Sequence, residues 1–211
     1  MRRLNVHKNQ GFTLLEILIA LAITGIIAAL TGPNLLAWLN SNKVQEATDS
    51  IQSALRDAQR QAIRLGRICR INFTNGTSNN PTVYSRITAL DKDSNPDPGC
   101  LVAANANAGS LNLPQGIFMV TNFPLLGKSP GVQFSFRGHV PGLTFTPPQN
   151  QAIIVLYPAA NAANPYPNQE RKCIVIASLL GIVKQGTYNG NPLGTLNANN
   201  CIKIRLDGTE P

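Results

Sequence analysis

An apolar run carrying a single carboxylate constrains this chain more than any other feature. From Phe12 to Leu39 only Thr13, Glu16, Thr24, Thr31 and Asn34 interrupt the apolar character. About 20 such residues in a helix cross the ~30 Å hydrocarbon layer of a bilayer. Arg2, Arg3 and Lys8 precede the run with no acidic residue among them. Positive charge on that flank places the N-terminus in the cytoplasm and the rest of the chain on the far side of the membrane. An ionised group at membrane depth is costly and normally faces a partner, so Glu16 is a functional candidate. Cutting the chain between Gly11 and Phe12 would create an α-amino group four residues ahead of Glu16, about 6 Å along a helix. An ordinary secretory signal also has a basic start and an apolar centre. It does not normally open on a glutamate, and the small-residue cleavage site it needs is poorly formed here.

The basic leader and Gly11, Phe12, Thr13, Leu14, Leu15 and Glu16, with the apolar helix behind them, resemble the prepilin signature of type IV pilin-like proteins. The resemblance implies that a prepilin peptidase cuts after Gly11 and methylates the amine of Phe12, and that Glu16 serves assembly. Gly25 and Pro33 fall where type IV pilins tend to have a glycine and a proline. Pro33 after Gly32 removes a backbone donor and crowds the preceding turn, so a kink or local melting is expected there, with Gly25, Gly32 and Pro33 as the kink residues.

After Asn40 the apolar residues become one-sided. Val44, Ala47, Ile51, Leu55, Ala58, Ala62 and Leu65 recur at steps of three and four, the spacing of a helix with one buried face. Gly66 is a natural stop, which predicts one helix from about Phe12 to Leu65. Arg56, Arg60, Arg64, Arg67 and Arg70 follow one flank, where they either grip phosphates or lay their stems over the domain with wet heads. Beyond Ile68 the pattern changes to short strands bounded by Gly, Pro and Asn, at 68–73, 83–90, 117–121, 132–136, 153–157, 173–178, 182–185 and 202–206. Loops rich in Asn, Ala and Pro are expected at 74–82, 103–112, 158–169 and 186–200. The organisation read from these signals is a leader at 1–11, a transmembrane or fibre-core half-helix at 12–39, an amphipathic half-helix at 40–66 and a β-rich domain at 67–211.

The length of 211 residues suits one ordinary domain and a membrane helix. Formal net charge is +8, of which Arg2, Arg3 and Lys8 would leave with the leader. A basic balance favours phosphate-bearing or acidic partners and says nothing about fold. Cys69, Cys100, Cys173 and Cys201 lack the paired spacing of zinc or redox motifs, so disulfides are expected beyond the membrane. Three pairings are open, and the sequence-neighbouring one, Cys69 with Cys100 and Cys173 with Cys201, is preferred. The segment 55–73, Phe134 to His139 and Arg171 to Val183 are similar to the GspH/FimT group of pseudopilins and minor pilins, with Gly138 and Gly181 at matching glycine positions. Leu180 departs from the more polar residue usual near that turn, and the tail Arg205 to Pro211 is not arginine-rich, which weakens any carry-over of nucleic-acid binding. The implied fold is α+β, a long N-terminal helix packed on a β-sandwich-like pair of antiparallel sheets.

Asp91, Asp93, Asn95 and Asp97 alternate like the opening of a calcium loop, but Pro96 stands where glycine is needed and Val102 where the bidentate glutamate should be. A polar turn is the default. No nucleophile–base motif, H-E-x-x-H or phosphate loop occurs, and His139 is the one imidazole after the leader, so neither an enzyme nor a cofactor is expected. Two functions compete. One is a minor pilin or pseudopilin of a type IV pilus or type II secretion pseudopilus, with the prepilin peptidase, other pilins and an inner-membrane assembly platform as partners. The other is a pilus-borne receptor for double-stranded DNA using the arginine row with Arg171, Lys172, Lys203 and Arg205, whose affinity would fall steeply with salt.

Overall fold

The computed structural model describes residues 12–74, 83–102, 109–126, 129–142, 151–161, 163–177 and 181–202, with the side chains of 30–34 outside that set. The chain forms two compact units, 1–39 and 40–211. Helix α1 runs from Leu14 to Leu65 and contributes to both. Thr13 caps its start: the backbone N–H of Glu16 donates to Thr13 Oγ1 at 3.3 Å and to the Thr13 carbonyl at 3.1 Å. Thr13 and Glu16 occupy the first and last places of a capping box, with the carboxylate favoured by the positive end of the helix dipole. The helix does not melt at Gly32 and Pro33. It stops at Gly66, whose φ of +64° is left-handed. Gly66 N–H returns to Ile63 O at 3.3 Å and Arg67 N–H to Ala62 O at 3.2 Å, the paired bonds of a Schellman cap.

In the first unit every large apolar side chain described between Phe12 and Leu39 is exposed. Among the described residues no helix is long and apolar enough to cross a membrane. The apolar stretch described ahead of residue 30, Leu14–Ala29, falls short of a full span by itself.

In the second unit the helical stripe is buried. Val44, Ala47, Ile51, Leu55, Ala58 and Ala62 enter the core together with Ala54, while Leu65, expected on the same face, is exposed. The strands are β1 (Cys69–Thr74), β2 (Arg86–Leu90), β3 (Ser110–Asn112), β4 (Ile117–Thr121), β5 (Leu125–Leu126), β6 (Ser129–Phe134), β7 (Ala152–Asn161), β8 (Asn164–Pro165), β9 (Lys172–Ala177), β10 (Ile182–Tyr188) and β11 (Cys201–Ile202). All pairings are antiparallel, in one sheet ordered β3-β2-β1-β6-β5 and another ordered β11-β10-β9-β7-β4. Strand alternation distributes the side chains. Ile71, Phe73, Ile87, Val132 and Phe134 of the first sheet join Ala152, Ile154, Leu156, Ile174 and Ile176 of the second around the helix. The opposite face of the second sheet, with Ile153, Val155, Tyr157, Cys173 and Val175, forms another cluster with Tyr188 and Leu196. A sheet buried on both faces reads as a continuous apolar run, which is the character of Ala152 to Leu156.

Several sequence expectations shift. The strand expected at 83–90 begins at Arg86, with Tyr84 in an isolated bridge to Met119. The strand expected at 153–157 continues to Asn161, and the one expected at 182–185 continues to Tyr188, so both absorb parts of expected loops. Pro158 is tolerated inside β7 although proline cannot donate to a ladder. It is paired with Ile117, the first residue of β4, and lies beyond Leu156, where the pairing of β7 with β9 ends. The strand expected at 132–136 ends at Phe134, where a turn through Gly138 begins. The expected strand 202–206 is described only through Ile202, and loop residues 75–82 and 103–108 lie outside the described residues.

Both disulfides take the sequence-neighbouring arrangement. Cys69 at the head of β1 joins Cys100 in a short 3-10 turn, with Cα atoms 5.5 Å apart, and Cys173 joins Cys201 at 5.9 Å. The second bridge links β9 to β11 across β10. Gly186 lies beneath it, where a β-carbon would sit 2.7 Å from Ile202 O and 2.9 Å from Cys201 Sγ. A second fastening joins Ser41 of α1 to Glu170, with Ser41 Oγ donating at 2.7 Å and Lys172 ion-paired to the same carboxylate. Burial alone would raise the Glu170 pKa, but the hydrogen bonds from Lys172 and Ser41 outweigh it and the net shift is downward.

Two outcomes follow. Gly186→Ala should lose about 1 to 3 kcal/mol by overpacking and slow closure of the Cys173–Cys201 bridge, read by guanidinium unfolding and thiol labelling during refolding; unchanged stability would contradict the close approach at Gly186. Because the folded pKa of Glu170 is depressed, its contribution is fully present above the ordinary glutamate value of about 4.3 and lost as pH falls through the lowered folded value. Glu170→Gln should therefore be less stable than the parent near neutrality, with the gap closing below that range; a gap independent of pH would contradict it.

Candidate functional site

Two places carry polar groups that fold stability does not account for. The first is the start of α1. Phe12 and Glu16 are exposed in the first unit, and Glu16 has no ion pair among the described residues. Gly11, on the other side of the expected cut, lies outside the described residues. The Thr13-x-x-Glu16 spacing is the local sequence signal for the cap that Thr13 forms.

The second place is the flank of α1 in the second unit, where the five arginines of the expected row separate into different tasks. Arg67 Nη2 contacts both oxygens of Asp97 at 2.8 Å. Asp97 also accepts from Gly99 N–H at 3.0 Å, so the pair fixes the 3-10 turn holding Cys100. Arg70 Nη1 donates to Lys92 O at 2.7 Å and pins the turn after β2. Neither belongs to an open cationic row. Arg56, Arg60 and Arg64 remain exposed. Arg56 Nη2 reaches Val183 O at 3.5 Å, beside Gln52 Nε2 at 3.4 Å, so helix side chains cover a carbonyl on the edge of β10. Arg60 makes a loose contact with Asp57 at 3.6 Å. Arg171 donates to Gly190 O and Lys172 pairs with Glu170, while Lys203 and Arg205 lie outside the described residues.

Gly138 and Gly181 meet beside this flank. Both are left-handed, with φ of +77° and +65°. Gln59 Nε2 donates to Gly138 O at 2.8 Å, and a β-carbon on Gly181 would sit 2.8 Å from that same nitrogen and 3.2 Å from Gly138 O. The two turns thus need glycine for backbone conformation and for space. His139 is exposed in the Gly138 turn, where its backbone N–H donates to Ser135 Oγ at 3.2 Å. Leu180 lies outside the described residues.

The acidic alternation at 91–97 forms a turn. Asp91 Oδ1 accepts from the N–H groups of Asp93 and Asn95 at 2.8 and 2.9 Å. These contacts, that from Asn95 foremost, hold the Asp91 carboxyl below its usual range. Asp97 faces Arg67 instead, and among the described residues no group of three His, Cys, Asp or Glu side chains is placed to hold a metal ion.

Comparison with known proteins gives one family match and a set of distant folds. Residues 6–32 match the prokaryotic N-terminal methylation motif, a span containing the whole stretch Gly11 to Glu16. No match is found among curated protein sequences. Among solved structures, the minor pseudopilin EpsH of the Vibrio cholerae type 2 secretion system is similar at 12% identity and a TM-score of 0.46, over 69% of this chain and 97% of that one. The type IV minor pilin FimU of Pseudomonas aeruginosa is similar at 12% identity and a TM-score of 0.40, over 67% of this chain and 87% of that one. The chain thus carries the prokaryotic N-terminal methylation motif at residues 6–32, ahead of and into the helix that opens an α+β fold of two antiparallel sheets.

Proposed function

We propose that this chain is a minor pilin or pseudopilin, a structural subunit of a type IV pilus or a type II secretion pseudopilus. Residues 12–39 span the inner membrane with the leader in the cytoplasm, the peptidase cuts after Gly11 and methylates Phe12, and the processed subunit joins other pilins at an assembly platform. The observation that carries this reading is the first unit itself. Its helix exposes Phe12, Leu14, Leu15, Ile17, Leu18, Ile19 and the apolar residues behind them, far more than a soluble surface tolerates. That surface needs lipid before assembly and neighbouring helices afterwards.

Glu16 supplies the register. Buried among apolar helices, its carboxylate is stable only with a cation, and the amine of Phe12 from the next subunit is the one the processing reaction creates. Attraction between them fixes the axial position at which a new subunit stops. Self-pairing of Glu16 with its own amine is available before assembly, since the two lie one helical turn apart. The receptor reading for double-stranded DNA has less support, because Arg67 and Arg70 hold internal turns.

Glu16→Val should be cut after Gly11 like the parent yet enter fibres at least about tenfold less, as expected when one partner of a buried pair is removed. Immunoblots of sheared fibres against whole cells measure this. Equal incorporation would overturn the role of Glu16.

A further inference from the structure

The surface around Gln59 joins three elements in one place. Ile63 Cδ1 lies 3.0 Å from where a β-carbon on Gly138 would sit, and Gly138 O is 3.2 Å from the same construction on Gly181. The flank of α1, the turn Ser135 to His139 and the start of β10 therefore form a continuous face. Three large apolar side chains stand out of it: Ile63 at 52% exposure, Phe136 at 51% and Ile182 at 49%. Beside Ile182 opens a cleft of about 420 Å³ lined by Arg56, Gln59, Arg60, Gly181, Ile182 and Val183. Arg137 lies over the Phe136 ring, 5.4 Å from its centroid. Asp57, one turn of α1 from Arg60, accepts from the N–H of Val102 at 2.9 Å and contacts Arg60 only loosely.

We propose that this face is a docking surface for a second fibre subunit, whose contacting segment inserts an apolar side chain into the cleft and carries carboxylates to Arg56, Arg60 and Arg137. This rests on the assembly reading and names the surface through which the second unit takes part in it. Charge complementarity selects an acidic segment, because Arg56 and Arg60 line the cleft, Arg137 stands over Phe136 on the adjoining turn, and the Asp57 carboxylate is already engaged by the N–H of Val102. The apolar residues select a protein rather than a nucleic acid. Phosphate contacts would satisfy the arginines but leave Ile63, Phe136 and Ile182 facing a polar, wet interface. An arginine-lined cleft beside an exposed aromatic and exposed aliphatic side chains has the composition of a protein–protein hot spot. Gln59 and the two left-handed glycines hold the wall of the cleft in place, so the surface is formed before the partner arrives.

The test replaces Phe136 in the full chain with the photo-crosslinking aromatic p-benzoylphenylalanine, irradiates isolated fibres and identifies the adduct by mass spectrometry. The proposal expects one adduct, to a segment of another fibre subunit with at least two Asp or Glu residues beside the captured position. Arg60→Glu with Arg137→Glu should lower its yield at least about tenfold, the direction set by turning attraction into repulsion, without moving the thermal midpoint of the purified chain. A nuclease-sensitive adduct, a segment without carboxylates, or no adduct from a chain that is present in fibres overturns the proposal alone. Absence of the chain from fibres overturns it together with the assembly reading.

Discussion

Burial of one helical stripe holds the second unit together. Ile51 and Leu55 are fully covered, each contributing about 1.5 to 3 kcal/mol relative to exposure, and the alanines at 47, 54, 58 and 62 let both sheets approach the helix closely. The sheets do not share a ladder; among the described residues they are linked by the Tyr84–Met119 bridge and by their common core. The same helix upstream of Asn40 has no such cover in its own unit, and its apolar side chains are exposed. One element thus has two different demands along its length. The domain half is buried within its own unit, and the first half stands exposed in its own.

The charges follow the same division. Arginines close to the domain's loops are absorbed by it: Arg67 locks the turn that carries Cys100, and Arg70 the turn that follows β2. Those on the outer flank stay available, with Arg56 only weakly held at the edge of β10. Glu16 belongs to neither group. It sits in the first turn of α1, favoured by the dipole and without an ion pair among the described residues.

Much of this was legible in sequence because the controlling signals are local. The step pattern from Val44 to Ala62, the stop at Gly66 and the strand Ile117–Thr121 each depend on residues within a few positions. Other features depend on distant partners. Asp97 looks like a cation ligand until Arg67, thirty residues earlier, is seen to face it. Gly186 looks like an ordinary loop glycine, yet it lies in a strand beneath a disulfide. Leu65 keeps the helical spacing but is exposed at the last position before the chain turns away. The capping role of Thr13 is local, carried by the threonine three residues ahead of Glu16.

In the function proposed above, the Gly11–Phe12 bond is the place where a membrane precursor becomes a fibre subunit. Mass spectrometry of the chain's N-terminal peptide from a sheared fibre fraction tests that most directly. The prediction is a peptide beginning at Phe12 with one methyl group on its α-amine. A chain that retains residues 1–11 in the fibre, or one cut near residue 30, would contradict it.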